Sequence, residues 1–422
     1  MTRFLLQLLL TVLLSDVCRA DSNLQGIEKF QDTHVYRDSI PHLATRSDIV
    51  KQTLLLPTHV HEVIFAVEQK NMDVLEIILN DVSNPSSANY GQHMSGEQVA
   101  ALTMNPESRD AVINYLYANG ASVTAESLYG EFITANAPIS LWNKVFNTEF
   151  KLFHQRQVDG EVLHKVRAES FSIPKELNEH VFGVINVIEM PVMQSRKTNI
   201  IEPPKEIITG MGRALAGSIY NGWIMPKILR LAYNSTGVRG NNLSTQCAYS
   251  ANDDYFNRVD LAKFQAADNI YLRQPAKEMN GHVVNNATQM KGGDWTEGNL
   301  DVQYILAMSP GSPTSYWWWH NEMATWLTSL TFVVEVPLIL SISYGAAEIY
   351  TPKWEHDLFT REAMKLSVRG VTILAASGDD GAPSWDARND PSKCAYRPLF
   401  PAGNPFVVSV GATKVREDRI RI

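Results

Sequence analysis

Between Ile40 and Met190 the hydrophobic pattern switches repeatedly between strand and helix periods. His59 to Val67 alternates as a half-buried strand does, whereas Leu75, Ile78, Leu79 and Val82 recur at helical spacing and predict a helix over Met72 to Val82. Asn84-Pro85-Ser86-Ser87 stops it. Ser95 and Gln98 form a capping box that opens a helix over Gly96 to Thr103, and a further helix runs from Arg109 to Asn119, ended by Gly120. Strands are expected at Val123 to Leu128, Glu131 to Ala135 and Glu149 to Phe153, with a short helix at Ser140 to Phe146. Helices mixed with strands at hairpin-like spacing predict an α+β unit with an antiparallel sheet, packed as a compact sandwich.

After Gly222 the pattern changes. Val336 to Ser343 is an unbroken apolar run, as in a strand covered on both faces. Trp354 to Arg369 is an amphipathic helix that Gly370 can terminate, and Val371 to Ala376 and Phe406 to Val410 are further strands. Strand, helix, strand at this spacing predicts a right-handed βαβ unit of a parallel sheet, hence an α/β fold. Ser377-Gly378-Asp379-Asp380-Gly381 then lies just past the carboxyl end of a parallel strand, where open sheets form their sites. The competing role for Asp379 is that of a turn former.

One further helix is expected from Gly293 to Pro310. Thr296 can cap it, Leu300, Tyr304, Ile305 and Met308 supply its apolar face, and Ser309-Pro310-Gly311 stops it. Glu297 and Asp301 stand four residues apart on one face. Such a pair is either a solvated helix edge or two carboxyls sharing a proton, the arrangement a carboxylate base needs from an orienting neighbour.

The 422 residues carry a net charge of -8, which argues against nucleic-acid binding. Residues 1–20 read as a signal peptide, with Arg3, an apolar run from Phe4 to Leu14 and a small-residue cleavage site near Ala20. No membrane span is expected. Beyond the signal only Cys247 and Cys394 remain, either paired with each other or with Cys394 partnered elsewhere, and Asn234, Asn242 and Asn286 head glycosylation sequons. The segment 193–221, with Arg196-Lys197 and Pro203-Pro204, reads as a linker holding a processing site. Its Gly210-Met211-Gly212 lacks the third glycine of a dinucleotide loop, since position 215 is Leu. His59 and His61 share a strand face, as a metal pair or as solvated residues, and Trp317-Trp318-Trp319 either lines a groove or packs in a core.

SISYG (341–345), ASGDDG (376–381) and FPAGNPFVVSVGAT (400–413) resemble the subtilisin-type parallel sheet, and specifically the sedolisin family of serine-carboxyl peptidases. Glu297-x-x-x-Asp301 followed by VQY resembles the sedolisin helix that carries two members of the catalytic triad. LEIILNDVSNPSSANYGQHMSGEQV (75–99) and IPKELNEHVFGVINVIEMP (173–191) resemble the family's activation prodomain. The resemblance implies a signal peptide at 1–20, a prodomain at 21–192, a linker at 193–221 and the N-terminal part of a peptidase domain at 222–422. It implies Glu297 as general base, Asp301 as its hydrogen-bonded relay, and Asp379 as the protonated oxyanion donor. It further implies polypeptide or peptide substrates, endo- or tripeptidyl-exopeptidase action at acid pH, a prodomain that inhibits its own catalytic part, and a secreted or lysosomal location. The nucleophilic serine in a GTSAS-like motif and the Ca2+ ligands are expected beyond the end of this chain, which is expected to be truncated and inactive alone. The alternative is an inactive product acting as a prodomain-type inhibitor or binding protein.

Overall fold

The computed structural model describes residues 33–156, 162–190, 224–251, 256–267, 277–279, 283–284, 296–319, 323–330, 336–383, 387 and 391–413. The expected signal peptide, the linker, Asn286 and the approach to the Glu297 helix from Gly292 to Trp295 lie outside them.

In the front half the strands are β1 (His34–Ser39), β2 (Ile49–Leu54), β3 (Val60–Val67), β4 (Ser122–Glu126), β5 (Phe132–Pro138), β6 (Phe150–Arg156), β7 (Val162–Ala168), β8 (Ser170–Pro174) and β9 (Val181–Ile185). The helices are α1 (Met72–Ser83), α2 (Gly96–Thr103), α3 (Pro106–Ala118) and α4 (Ile139–Val145). The four helices and the strands β3, β4, β5 and β6 fall where the periodicity put them, to within a few residues, while β1, β2, β7, β8 and β9 were not expected from it. The capping box forms: Gln98 N–H donates to Ser95 Oγ at 3.2 Å, and Ser95 N–H donates to Gln98 Oε1 at 2.7 Å.

The chain divides into two compact units: Met1–Gln69, Met104–Gln155 and Leu163–Glu189 in one, Lys70–Thr103, Arg156–Val162 and Met190–Ile422 in the other. The first holds antiparallel sheets in the orders β4-β5-β3-β9 and β1-β8, with a third sheet ordered β2-β6-β7. Its core is aromatic. Phe146 stacks with both Phe65 and Trp142, Phe150 packs tilted against it and Phe171 meets it edge-on, all buried.

The second unit is α/β. Its helices are α5 (Pro226–Ala232), α6 (Arg258–Ala267), α7 (Thr296–Met308), α8 (Met323–Ser329) and α9 (Lys353–Val368). Its strands are β10 (Gln246–Ser250), β11 (Phe256–Asn257), β12 (Lys277–Met279), β13 (Val283–Val284), β14 (Thr314–Trp318), β15 (Ile339–Ile342), β16 (Ala346–Ala347), β17 (Thr372–Ala376), β18 (Leu399–Phe400) and β19 (Val408–Val410). Six of these make one parallel sheet in the order β12-β14-β10-β15-β17-β19. β10, at its centre, is buried along its whole length. From β10 the chain passes to β12 and β14 on one flank, and from β15 it passes through α9 to β17 on the other. The connections therefore diverge between β10 and β15, the place where open parallel sheets leave a crevice at their carboxyl ends.

The helices α1 and α2 pack in this second unit, although their sequence belongs to the front half. Leu75, Leu79, Val82 and Val99 form one apolar cluster with Met364 and Val368 of α9. Each such side chain contributes about 1.5–3 kcal/mol on burial.

Candidate active site

Three segments meet the carboxyl edge of the parallel sheet near that divergence. The first is α7. Its sealed stripe is Gly298, Val302, Leu306 and Ala307, with Val302 and Leu306 against Ala248, Phe256, Leu261 and Tyr316. This corrects the sequence expectation. Leu300, Tyr304, Ile305 and Met308 are only half-buried, because α7 is apolar on more than one side and packing on the sheet selects which side is sealed. Asn299 Oδ1 accepts from Asn257 N–H at 2.8 Å, Tyr304 donates its hydroxyl to the Ile224 carbonyl, and Arg230 donates to the Ala307 carbonyl. These bonds fix the helix along its length.

Glu297 lies in the first turn of α7, where the helix dipole favours negative charge. Asp301 follows one turn later, and both residues are half-buried. Ser343, the first residue past β15, donates its hydroxyl to Asp301 Oδ1 at 2.8 Å. That bond brings α7 to the sheet edge, and Asp301 Oδ2 is closed off from solvent.

The second segment is the turn after β15. Tyr344 is buried, its ring 5.9 Å from that of Tyr249 and its hydroxyl 3.5 Å from Ser250 Oγ at the end of β10. The third is the loop after β17. Ile342 pairs with Ala375, so Ser343 and the start of 377–381 leave neighbouring strands at the same level. Gly378 and Gly381 both take positive φ, 93° and 64°, which folds this loop tightly and leaves Asp379 exposed to solvent at the edge. Asp301 and Asp379 are thus brought to one side of the sheet by adjacent strands β15 and β17.

Comparison with known proteins finds relatives for the chain. Residues 47–189 match the pro-kumamolisin activation domain. Physarolisin from Physarum polycephalum is 28% identical over 365 residues, covering 83% of this chain and 59% of that protein. Tripeptidyl-peptidase 1 from Homo sapiens is 29% identical over 371 residues, covering 84% of this chain and 61% of that protein. The front half thus carries an activation domain of the pro-kumamolisin type, and the chain is similar to these peptidases over most of its length. The chain spans about three fifths of the length of these relatives. A solved Pseudomonas sedolisin, complexed with two molecules of pseudo-iodotyrostatin, superposes with a TM-score of 0.33 at 16% identity over 46% of this chain and 54% of its own, too weakly to add to the assignment.

Other candidate residues resolve differently. His61 Nε2–H donates to the Asn186 carbonyl at 2.8 Å and its ring packs on Phe150, which commits that nitrogen to the backbone, while His59 lies just before β3. Tyr316 and Trp317 of β14 are core residues, and Trp317 packs on Trp326. Cys247 and Cys394 are both free. Burial pushes the Cys247 thiol up to about 12, which leaves it a neutral core group rather than a nucleophile. Among the described residues no group of three or more His, Cys, Asp or Glu is placed to hold a metal ion. Sequence reasoning missed Ser343. The available signal was a hydroxyl placed immediately past the carboxyl end of an apolar strand.

Proposed function

We propose that the chain is part of the precursor of a serine-carboxyl peptidase, which hydrolyses peptide bonds in polypeptide or peptide substrates in an acidic compartment reached by the secretory pathway. Glu297 acts as general base toward a serine hydroxyl and Asp301 orients it. Asp379, protonated, donates to the developing oxyanion. The hydrogen bond from Ser343 to Asp301 is the observation that carries this reading, because it ties the α7 carboxyls to the sheet edge from which the Asp379 loop also emerges.

Acid conditions follow from the chemistry. An unperturbed carboxylate, with a pKa near about 4, is a poor base toward a hydroxyl compared with histidine at neutral pH, and a carboxylic acid donor persists only where protons are plentiful. The chain spans about three fifths of the length of its relatives, and the activity is proposed for the whole protein. The front-half activation domain is proposed to hold that protein inactive until it is removed within 193–221.

The test is peptide hydrolysis by that protein after acidification. Turnover of a quenched peptide below about pH 6, insensitive to pepstatin and lost in Glu297→Gln and Asp301→Asn, is expected, since removing one member of such a catalytic set typically costs several orders of magnitude. A folded, processed protein with no acid-dependent hydrolysis would overturn the reading and favour an inhibitory or binding role.

A further inference from the structure

We propose that Ser343 is the positioning residue of the carboxyl pair, its hydroxyl setting the plane of the Asp301 carboxyl so that the oxygen it leaves is presented to Glu297. This deepens the peptidase reading and rests on it.

The argument begins with how firmly Ser343 is held. It follows β15 directly, and β15 has a strand on each side: Ile342 pairs with Tyr249 of β10 and with Ala375 of β17. On its other side Tyr344 is anchored against Tyr249 and Ser250. Gly345 then runs so close to β18 that an added Cβ would lie 2.7 Å from the Phe400 carbonyl oxygen and 2.8 Å from the Leu399 side chain. The backbone carrying the hydroxyl is therefore fixed from both directions, and the side chain has one short torsion with which to aim.

Asp301 is held as firmly on its own element. Val302, beside it, is fully buried among Ala248, Phe256 and Tyr316, so rotation of α7 about its axis is blocked. A hydroxyl aimed from a fixed strand at a carboxylate on a fixed helix selects one carboxyl orientation. Oδ1 is occupied by Ser343, and Oδ2 is shielded from solvent. Glu297 is the acidic neighbour one turn toward the helix start, at the spacing that lets two side chains meet. A carboxyl with one oxygen committed can exchange a proton through the other without reorienting, which is what a relay to a general base requires. A donor to Asp301 also favours its ionised form.

Ser343→Ala removes the donor and leaves the backbone, whereas Ser343→Thr retains the hydroxyl. In the whole protein, Ser343→Ala is expected to lower kcat about tenfold or more with KM little changed, and to move the midpoint of the acid limb of its pH profile upward by about one pH unit, as loss of a charge-assisted bond implies. Thr should restore the profile. Carbon-13 NMR of labelled aspartate in the present chain reads the same change without turnover: the Asp301 carboxyl should titrate higher in Ala and near wild type in Thr. Loss of activity in Glu297→Gln together with an unchanged Asp301 titration and pH profile in Ser343→Ala would overturn the positioning role alone. Retained activity in Glu297→Gln would overturn the peptidase reading instead. If Ser343→Ala fails to fold, a Thr variant whose Asp301 titration departs from wild type still refutes the proposal.

Discussion

The backbone N–H of Met94 donates to the carbonyl of Val368 at 3.0 Å, joining the turn before α2 to the last residue of α9. Two segments far apart in sequence are thereby paired through main-chain atoms, with Leu75, Leu79 and Val82 packed beneath them. Leu75→Ala is expected to destabilise this unit by about 2–5 kcal/mol, as a cavity among unyielding neighbours does. Denaturant unfolding would measure the loss, and hydrogen exchange should quicken at the Met94 amide as well as along α1. Acceleration confined to α1 would show that the pairing does not depend on the cluster.

Gly370 has φ 88°, and a Cβ there would lie 2.9 Å from the His93 ring. Gly370→Ala should therefore cost about 1–3 kcal/mol from backbone strain, with the ring contact adding to it. A melting temperature within a degree of wild type would contradict this.

Arg167 and Glu189 form a buried pair, Nε to Oε2 3.6 Å, in which Arg167 also donates to the Glu189 carbonyl and the Asn186 side chain. Glu189 Oε2 accepts from the N–H groups of Val187 and Ile188. Arg167→Met should cost about 3–5 kcal/mol, because it leaves a buried carboxylate without its counterion, and adding Glu189→Gln should recover part of the loss. Circular dichroism melts of the single and double variants decide it.

His61 gives the front unit a pH dependence of definite sign. Burial pushes its imidazole down to about 4, with the charges of Arg167 and His59 acting the same way against the bond to Asn186. A histidine depressed below its unfolded value contributes stability that is complete above about pH 6.5 and is lost as pH falls toward 4, because the unfolded chain binds the extra proton first. The loss amounts to about 3 kcal/mol between those limits. His61→Gln should flatten stability over this interval when denaturation midpoints are compared at several pH values.

Asp379 supplies the sharpest kinetic contrast. If it donates to the oxyanion only when protonated, Asp379→Ala should lower kcat by about 10²–10³. Asp379→Asn, which donates at any pH, should extend activity toward neutrality relative to wild type. Equal pH profiles for wild type and Asn would remove Asp379 from that role.

Local chemistry was readable in the sequence wherever the deciding partners lie a few residues apart. Ser95 and Gln98 cap each other, and Gly370 ends α9 through a conformation only glycine adopts freely. Long-range choices were not readable. The stripe of Leu75, Leu79 and Val82 shows that α1 needs an apolar partner, but nothing in it selects α9. On α7 apolar residues occur nearly all round, so periodicity could not distinguish Val302 and Leu306 from Leu300 and Tyr304, and the sheet made the choice. Glu297, Asp301 and Asp379 were singled out through their surrounding motifs, not through periodicity. Ser343 was not, because its importance lies in which helix faces the strand end.

β15 has a strand on either flank and so no free edge along its length. A slip by one residue would turn every side chain of the strand to the opposite face, and neither neighbour permits it. The aim of the Ser343 hydroxyl is consequently as durable as the middle of the sheet: it should survive the fraying of outer strands and vanish only when the whole layer comes apart.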